Sequence, residues 1–114
     1  MIEILVQGLE LLEERGYELR MGGLDATREQ LLELVPSASA LISDPTVPVD
    51  AVLLDAAGEQ LRVSANFAVG YDNVDLDACR ERGVIVTNTP EVLTQATAEL
   101  ALALTLAAGR RMSD

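Results

Sequence analysis

Residues 61–111 read LRVSANFAVGYDNVDLDACRERGVIVTNTPEVLTQATAELALALTLAAGRR, and the alternation inside this stretch decides the fold class. Arg62 to Phe67 and Val84 to Thr87 are short β-type runs, each bounded by a turn. Between them Asp75 opens an amphipathic helix that runs to Arg82 and is stopped by Gly83. After the second run a long helix is predicted from about Thr94 to Gly109. Thr94 is its expected N-cap, and Arg110 and Arg111 stand where cations complement the helix dipole. Strand, helix, strand, helix implies parallel pairing through right-handed crossovers.

The same rhythm extends toward the N-terminus. Ala40 to Ser43 is an apolar run, followed by an Asp44-Pro45 loop and a helix over Val49 to Ala57. Ahead of it, Thr27 with Gln30 three residues on forms a capping-box pattern that opens a helix through Val35, ended by Pro36 and Ser37. Two further strands are expected, Ile2 to Val6 and Tyr17 to Met21, separated by a helix over Gly8 to Arg15 that Gly16 stops. Five such units without a glycine-rich GxGxxG loop lead to one α/β domain over residues 1–114. It is expected to be a flavodoxin-like three-layer sandwich with a five-stranded parallel sheet, order 2-1-3-4-5, and helices on both faces.

Composition narrows the function classes. The chain has 114 residues, enough for one core, and carries 19 acidic against 8 basic side chains. A net charge of -11 argues against nucleic-acid or anionic-membrane partners, which require clustered cations. All the basic residues are arginine; without His or Lys the chain offers no imidazole acid/base, no lysine Schiff base and no His-containing metal site, so no metal is expected. The single cysteine, Cys79, reads as an inert, partly buried side chain, and with no signal peptide or membrane-length apolar run the expected location is a reducing cytoplasm.

The stretch N-x-A-V-G-Y-D-N-V-D (66–75), followed by R-G-V-x-V-T-N-T-P-x-V-L-T-x-A-T-A-E-L-A (82–101), resembles the D-2-hydroxyacid dehydrogenase family, of the glyoxylate/hydroxypyruvate reductase type. Gly8 to Leu12 and Leu41 to Asp44 are compatible with it. The resemblance implies a substrate-binding half-domain of an enzyme that moves hydride between NAD or NADP and a small 2-keto acid. It places backbone N–H groups of Ala68, Val69 and Gly70 on the substrate carboxylate and Thr94 near the nicotinamide end of the cofactor. Ser43, at the end of its strand, falls on the same rim by topology. Read without the family, Val69-Gly70 is simply a turn, and Tyr71-Asp72-Asn73 is a local backbone-bonding turn rather than an acid/base cluster.

Two departures shape the expectation. The segment that usually separates the first strand from its helix is missing between Val6 and Gly8. The sequence also stops where the family would begin its nucleotide-binding domain, taking with it the glycine-rich loop and the Arg, Glu and His that bind and protonate substrate. No catalytic residue is therefore assigned here, no cofactor is expected to bind this chain alone, and the chain is expected to be inactive by itself. The alternative from a different class is a stand-alone flavodoxin-like scaffold or weak small-anion binder. A flavin-binding protein is disfavoured, since no Ser/Thr/Gly-rich phosphate loop follows the first run. Because residues 98–108 are apolar nearly all round, a homodimer or swapped assembly through helix 94–109 is expected, burying Leu100, Leu102, Leu104 or Leu106.

Overall fold

The computed structural model describes residues 2–23 and 25–112, with the backbone alone for 2–7. Helix α1 spans Ile2–Glu14 and α2 Arg28–Leu34; strand β1 is Ala40–Ser43, α3 Ala51–Ala57, β2 Val63–Asn66, α4 Leu76–Glu81, β3 Ile85–Thr87 and α5 Thr94–Gly109. The strands form one parallel sheet in the order β1-β2-β3, with Ser43 paired to Asn66 and Ala65 to Thr87. They are the third, fourth and fifth runs expected from sequence, in the expected neighbour order.

The first two expected strands are not strands. Residues 2–6 lie in α1, whose helix continues through Gly8 without a break. A short apolar run fits either structure, and with no connecting segment between Val6 and Gly8 nothing forces a turn. Tyr17 to Met21 is irregular. In a 2-1-3 order its only partner would have been the first run, so once that run is helical the second has no ladder to join. Arg20 instead ties the segment to the end of α2, its guanidinium donating to the carbonyls of Leu34 (3.3 Å) and Pro36 (2.6 Å). The five-stranded sheet is thus corrected to three strands.

Local signals in the middle of the chain hold closely. The capping box forms, with Thr27 Oγ1 accepting from Gln30 N–H and the Gln30 side chain accepting from Thr27 N–H. Asp50 caps α3 and Asp75 caps α4, each accepting from a backbone N–H three residues on. Gly83, at φ 66°, takes the left-handed conformation that ends α4, where a side chain would be strained. Thr94 is different: Leu93 occupies the cap position of α5, no side chain caps that helix, and Thr94 is its first residue. The Thr94 N–H turns back to the Glu91 carbonyl at 3.3 Å, so the chain is already curled before the threonine could act as a cap.

The core lies on one face of the sheet. Val49, Leu53, Leu54, Ala57, Leu61 and Cys79 are each at most 2% exposed, in one cluster to which α3 and α4 contribute and against which Leu41 of β1 and Val86 of β3 pack. Cys79 is more deeply buried than expected; burial pushes its thiol above the ordinary range, reinforced by the Asp75 charge, so it stays protonated and unreactive at neutral pH. The opposite face is open, with Ile42 62% and Ile85 66% exposed. Among the described residues neither α1 nor α5 packs against another helix or strand, and the radius of gyration, 17.8 Å, exceeds the about 13 Å typical of a compact domain near this length. One layer of helices over three strands is therefore what the chain itself closes.

Two measurements test this core. Burial pushes the Asp50 carboxyl up, but the Leu53 N–H and the Arg28 guanidinium outweigh it, and the net shift is below the ordinary value of 3.8. A depressed carboxylate stabilises the fold above its unfolded value and loses that contribution as pH falls through the folded one. Asp50→Asn should therefore lower the melting temperature at neutral pH, the gap closing below about pH 4, while Asp50→Ala should cost about 1 kcal/mol. A gap independent of pH would contradict this assignment. Ser64 Oγ, fully buried, finds no hydrogen-bond partner among the described residues. Ser64→Ala should leave stability unchanged or raise it, by up to about 1 kcal/mol in a denaturant titration, because it removes an unpaired hydroxyl.

Candidate functional site

At the carboxyl ends of β1 and β2 a polar network sits in an otherwise apolar interior. Asn66, the last residue of β2, is 2% exposed and uses its amide completely. Its Oδ1 accepts from Ser43 Oγ and from Asn73 Nδ2, both at 3.0 Å. Its Nδ2 donates to Asn73 Oδ1 at 2.9 Å and to the Gly70 carbonyl at 3.0 Å. Asn73 Nδ2 also reaches the carbonyls of Asp44 (3.1 Å) and Val47 (2.8 Å). Beside it Val49 and Val74 form a parallel bridge, Val49 N–H donating to the Asn73 carbonyl and Asp75 N–H to the Val49 carbonyl. Two loops, 44–49 and 67–75, are thereby locked to each other and to the ends of two strands.

This frame sets the geometry of the loop that the sequence singled out. The carbonyls of Ala68, Val69 and Gly70 are all taken: Thr89 N–H donates to the first (2.9 Å), Asn88 Nδ2 to the second (2.8 Å) and Asn66 Nδ2 to the third. Ala68 N–H closes a tight turn onto the Asn66 carbonyl at 2.8 Å, while among the described residues no acceptor meets the N–H of Val69 or of Gly70. Both residues are exposed, Val69 to 44%. Two adjacent N–H donors without an internal acceptor on a braced, solvent-facing turn are open to an acceptor from solution. Gly70 is not at positive φ, and a Cβ there would meet nothing closer than Asp72 Oδ2 at 4.0 Å; the glycine leaves the approach to its own N–H bare.

The remaining expected residues fall as follows. Ser43 is at the rim but 7% exposed, its hydroxyl donated to Asn66, so it braces the site from beneath. Thr94 is exposed at the start of α5, beyond the Asn88 and Thr89 clamp. Asn73 does bond backbone, as read from the sequence, but across to loop 44–47 rather than within its own turn. A cleft of about 320 Å³ lined by Gly23, Arg28, Leu31, Asp44, Thr46 and Pro48 among others does not include the 68–70 loop, which stands on open surface.

The bracing amides, Asn66 and Asn88, escaped the sequence reading. For Asn66 a signal existed: an amide and a serine alternate on what should be the buried side of an apolar strand, V-S-A-N, and a buried polar side chain must be satisfied by something. For Asn88 there was none, since its role depends on which loop lies beside the exit of β3.

Residues 3–114 match the family described as D-isomer specific 2-hydroxyacid dehydrogenase, catalytic domain. A glyoxylate reductase of Korarchaeum cryptofilum is 44% identical over 114 residues, 98% of this chain and 34% of the relative. One from Thermococcus litoralis is 51% identical over 87 residues, 76% of this chain and 26% of the relative. Among solved structures, the TT0316 protein from Thermus thermophilus superposes with a TM-score of 0.86 at 46% identity, covering 94% of this chain and 34% of that one. The NAD+-bound 3-phosphoglycerate dehydrogenase of Entamoeba histolytica gives 0.76 at 28% identity, covering 90% and 33%. The chain thus spans about a third of the length of the relatives it matches. By this match, and by the motif that builds its braced loop, the chain belongs to the D-isomer specific 2-hydroxyacid dehydrogenase family.

Proposed function

We propose that this chain is a substrate-binding half-domain whose 68–70 loop holds the carboxylate of a small 2-keto or 2-hydroxy acid, such as glyoxylate or hydroxypyruvate. The observation that carries the reading is the pair of unpaired N–H groups on Val69 and Gly70, with all three loop carbonyls turned to internal donors. An anion fits donors that have no competing acceptor and that the scaffold holds before the ligand arrives.

In this reading the hydride chemistry belongs to a longer protein. A nicotinamide dinucleotide would supply the hydride, and of this chain's residues Thr94 is the one we assign to its neighbourhood. The chain has no GxGxxG loop to seat a pyrophosphate and no histidine to protonate an alkoxide. Alone, it binds and orients but does not reduce. Neutral donors without a nearby guanidinium give weak, millimolar-range affinity, because half of the carboxylate clamp is missing.

We further propose self-association through α5. Leu100, Leu102, Leu104 and Leu106 are each about 60% exposed, and the open sheet face presents Ile42 and Ile85, so one chain displays both an uncovered apolar helix and an uncovered apolar sheet. A second copy can cover each with the other under twofold symmetry.

Titrating the isotope-labelled chain with glyoxylate, followed by amide chemical shifts, should move the Val69 and Gly70 signals first and most. A map with no change at 68–70 contradicts the carboxylate site and leaves the stand-alone scaffold. The pure chain mixed with NAD(P)H and glyoxylate should show no cofactor oxidation above background; turnover would sink the half-domain reading. In scattering-coupled chromatography at micromolar concentration the mass should be that of a dimer, and Leu102→Glu with Leu106→Glu should return it to monomer. A wild-type chain that is strictly monomeric rules out the α5 interface.

A further inference from the structure

We propose that Asn88 is a positioning residue for the anion-binding loop, acting through the Val69–Gly70 peptide group; the proposal rests on the reading of that loop given above. A trans peptide is planar, and its C=O and N–H point in opposite directions. The Val69 carbonyl and the Gly70 N–H belong to one such plane, the Ala68 carbonyl and the Val69 N–H to the preceding one. Asn88 Nδ2 holds the first carbonyl at 2.8 Å and Thr89 N–H the second at 2.9 Å. Both donors come from the segment that leaves β3, so that segment lies against the carbonyl side of the loop. The two N–H groups that meet no acceptor among the described residues are consequently turned the other way.

The two clamps differ in kind. Thr89 contributes backbone and keeps its donor under nearly any substitution, whereas the hold on Val69 depends on the identity of one side chain, 19 residues away in sequence. Its reach is set by the register of β2 on β3, which pairs Ala65 with Thr87 just before Asn88. The Val69–Gly70 plane is the one that most needs holding. Gly70 lacks a Cβ and tolerates either orientation of the peptide before it, so in an exposed turn the plane can rotate at little cost. Rotated, it would aim a carbonyl oxygen at the anion. A donor on that carbonyl also polarises its peptide group, strengthening the N–H on the far side. Asn88 thus selects the attractive face of the loop without touching the ligand.

The test uses the full 114-residue chain with oxalate as the probe, comparing wild type, Asn88→Ala and the isosteric Asn88→Asp by amide shifts. Asn88 is half-buried at the surface, so both variants should fold. Asn88→Ala should raise the oxalate dissociation constant about tenfold, the factor that corresponds to ~1.4 kcal/mol. Asn88→Asp should weaken binding further, since a carboxylate repels the Val69 carbonyl it faces. Before any oxalate is added, the Gly70 amide nitrogen should already shift in Asn88→Ala while the strand residues Leu41 and Ser64, remote in sequence from the substitution, stay in place. If wild type shows localised shifts at Val69 and Gly70 and Asn88→Ala binds as tightly, the positioning role is overturned and the loop site stands. If wild type shows no shift at the loop, both fall together. Weakened binding accompanied by shifts spread through β1 to β3 would instead mark Asn88 as a general structural residue and overturn the proposal.

Discussion

The reciprocal amide pair between Asn66 and Asn73 is the constraint on which the rim of this molecule depends. Each side chain donates to and accepts from the other, at 2.9 and 3.0 Å, as a two-bond lock between the end of β2 and the approach to α4. Isolated, one buried asparagine would be a liability, since each unmet polar atom in an apolar setting costs about 1–3 kcal/mol. Paired, with Ser43 and Gly70 completing Asn66 and the carbonyls of Asp44 and Val47 sharing the one hydrogen left on Asn73 Nδ2, the two amides convert that liability into a specification of geometry. The loops after β1 and β2 cannot move independently. Ser64, two residues earlier on the same face and without a partner, shows how differently an unsupported polar group sits in that layer.

The second organising fact is asymmetry of cover. Parallel sheets are ordinarily buried on both faces, because each crossover lays a helix on one of them. Here α3 and α4 cover one face and leave Ile42 and Ile85 exposed on the other, with α1 and α5 packed on nothing else described. Burial supplies the main favourable term in folding, so such a sheet gains only part of what its sequence offers. The helix over residues 94–109 carries leucine at 100, 102, 104 and 106, spaced so that they point around the cylinder rather than along one stripe. Such a helix suits insertion between surfaces.

How far the sequence was legible follows from what kind of force fixed each part. Capping residues act within four positions, and so Thr27, Asp75 and Gly83 were readable as helix boundaries, whereas Asp50, which caps α3, was read as lying inside a helix that began at Val49. The three strands that formed each pair in parallel with the next strand along the chain, across a single helix, which the alternation encodes. Residues 2–6 and 17–21 needed each other and an unbroken connection, and that dependence is invisible in either run alone. Thr94 failed as a cap because a turn at Glu91 to Thr94 set the backbone first, a choice no N-cap preference records. At the site, the 68–70 turn was singled out by its motif. Its bracing was not, because Asn66, Asn73 and Asn88 act across 4 to 29 positions of sequence.

Charge bears on how strongly the proposed loop site could hold an anion. On the proposed reading an anion is held by neutral N–H donors in a molecule of net charge -11, with the Asp72 carboxylate 4.0 Å from where a Gly70 side chain would begin. Four of the eight arginines are engaged elsewhere, Arg20 on α2, Arg28 on Asp50, Arg80 on Asp77 and Arg82 on Asp55. Oriented amides discriminate by shape and direction, but against a like-charged background they supply little net attraction. On the same reading, a cation supplied from across the open surface would complete the carboxylate clamp, a substrate between the two being gripped by direction from one side and by charge from the other. A fold that put both on one chain segment would risk neutralising its own arginine with the abundant acidic residues around it.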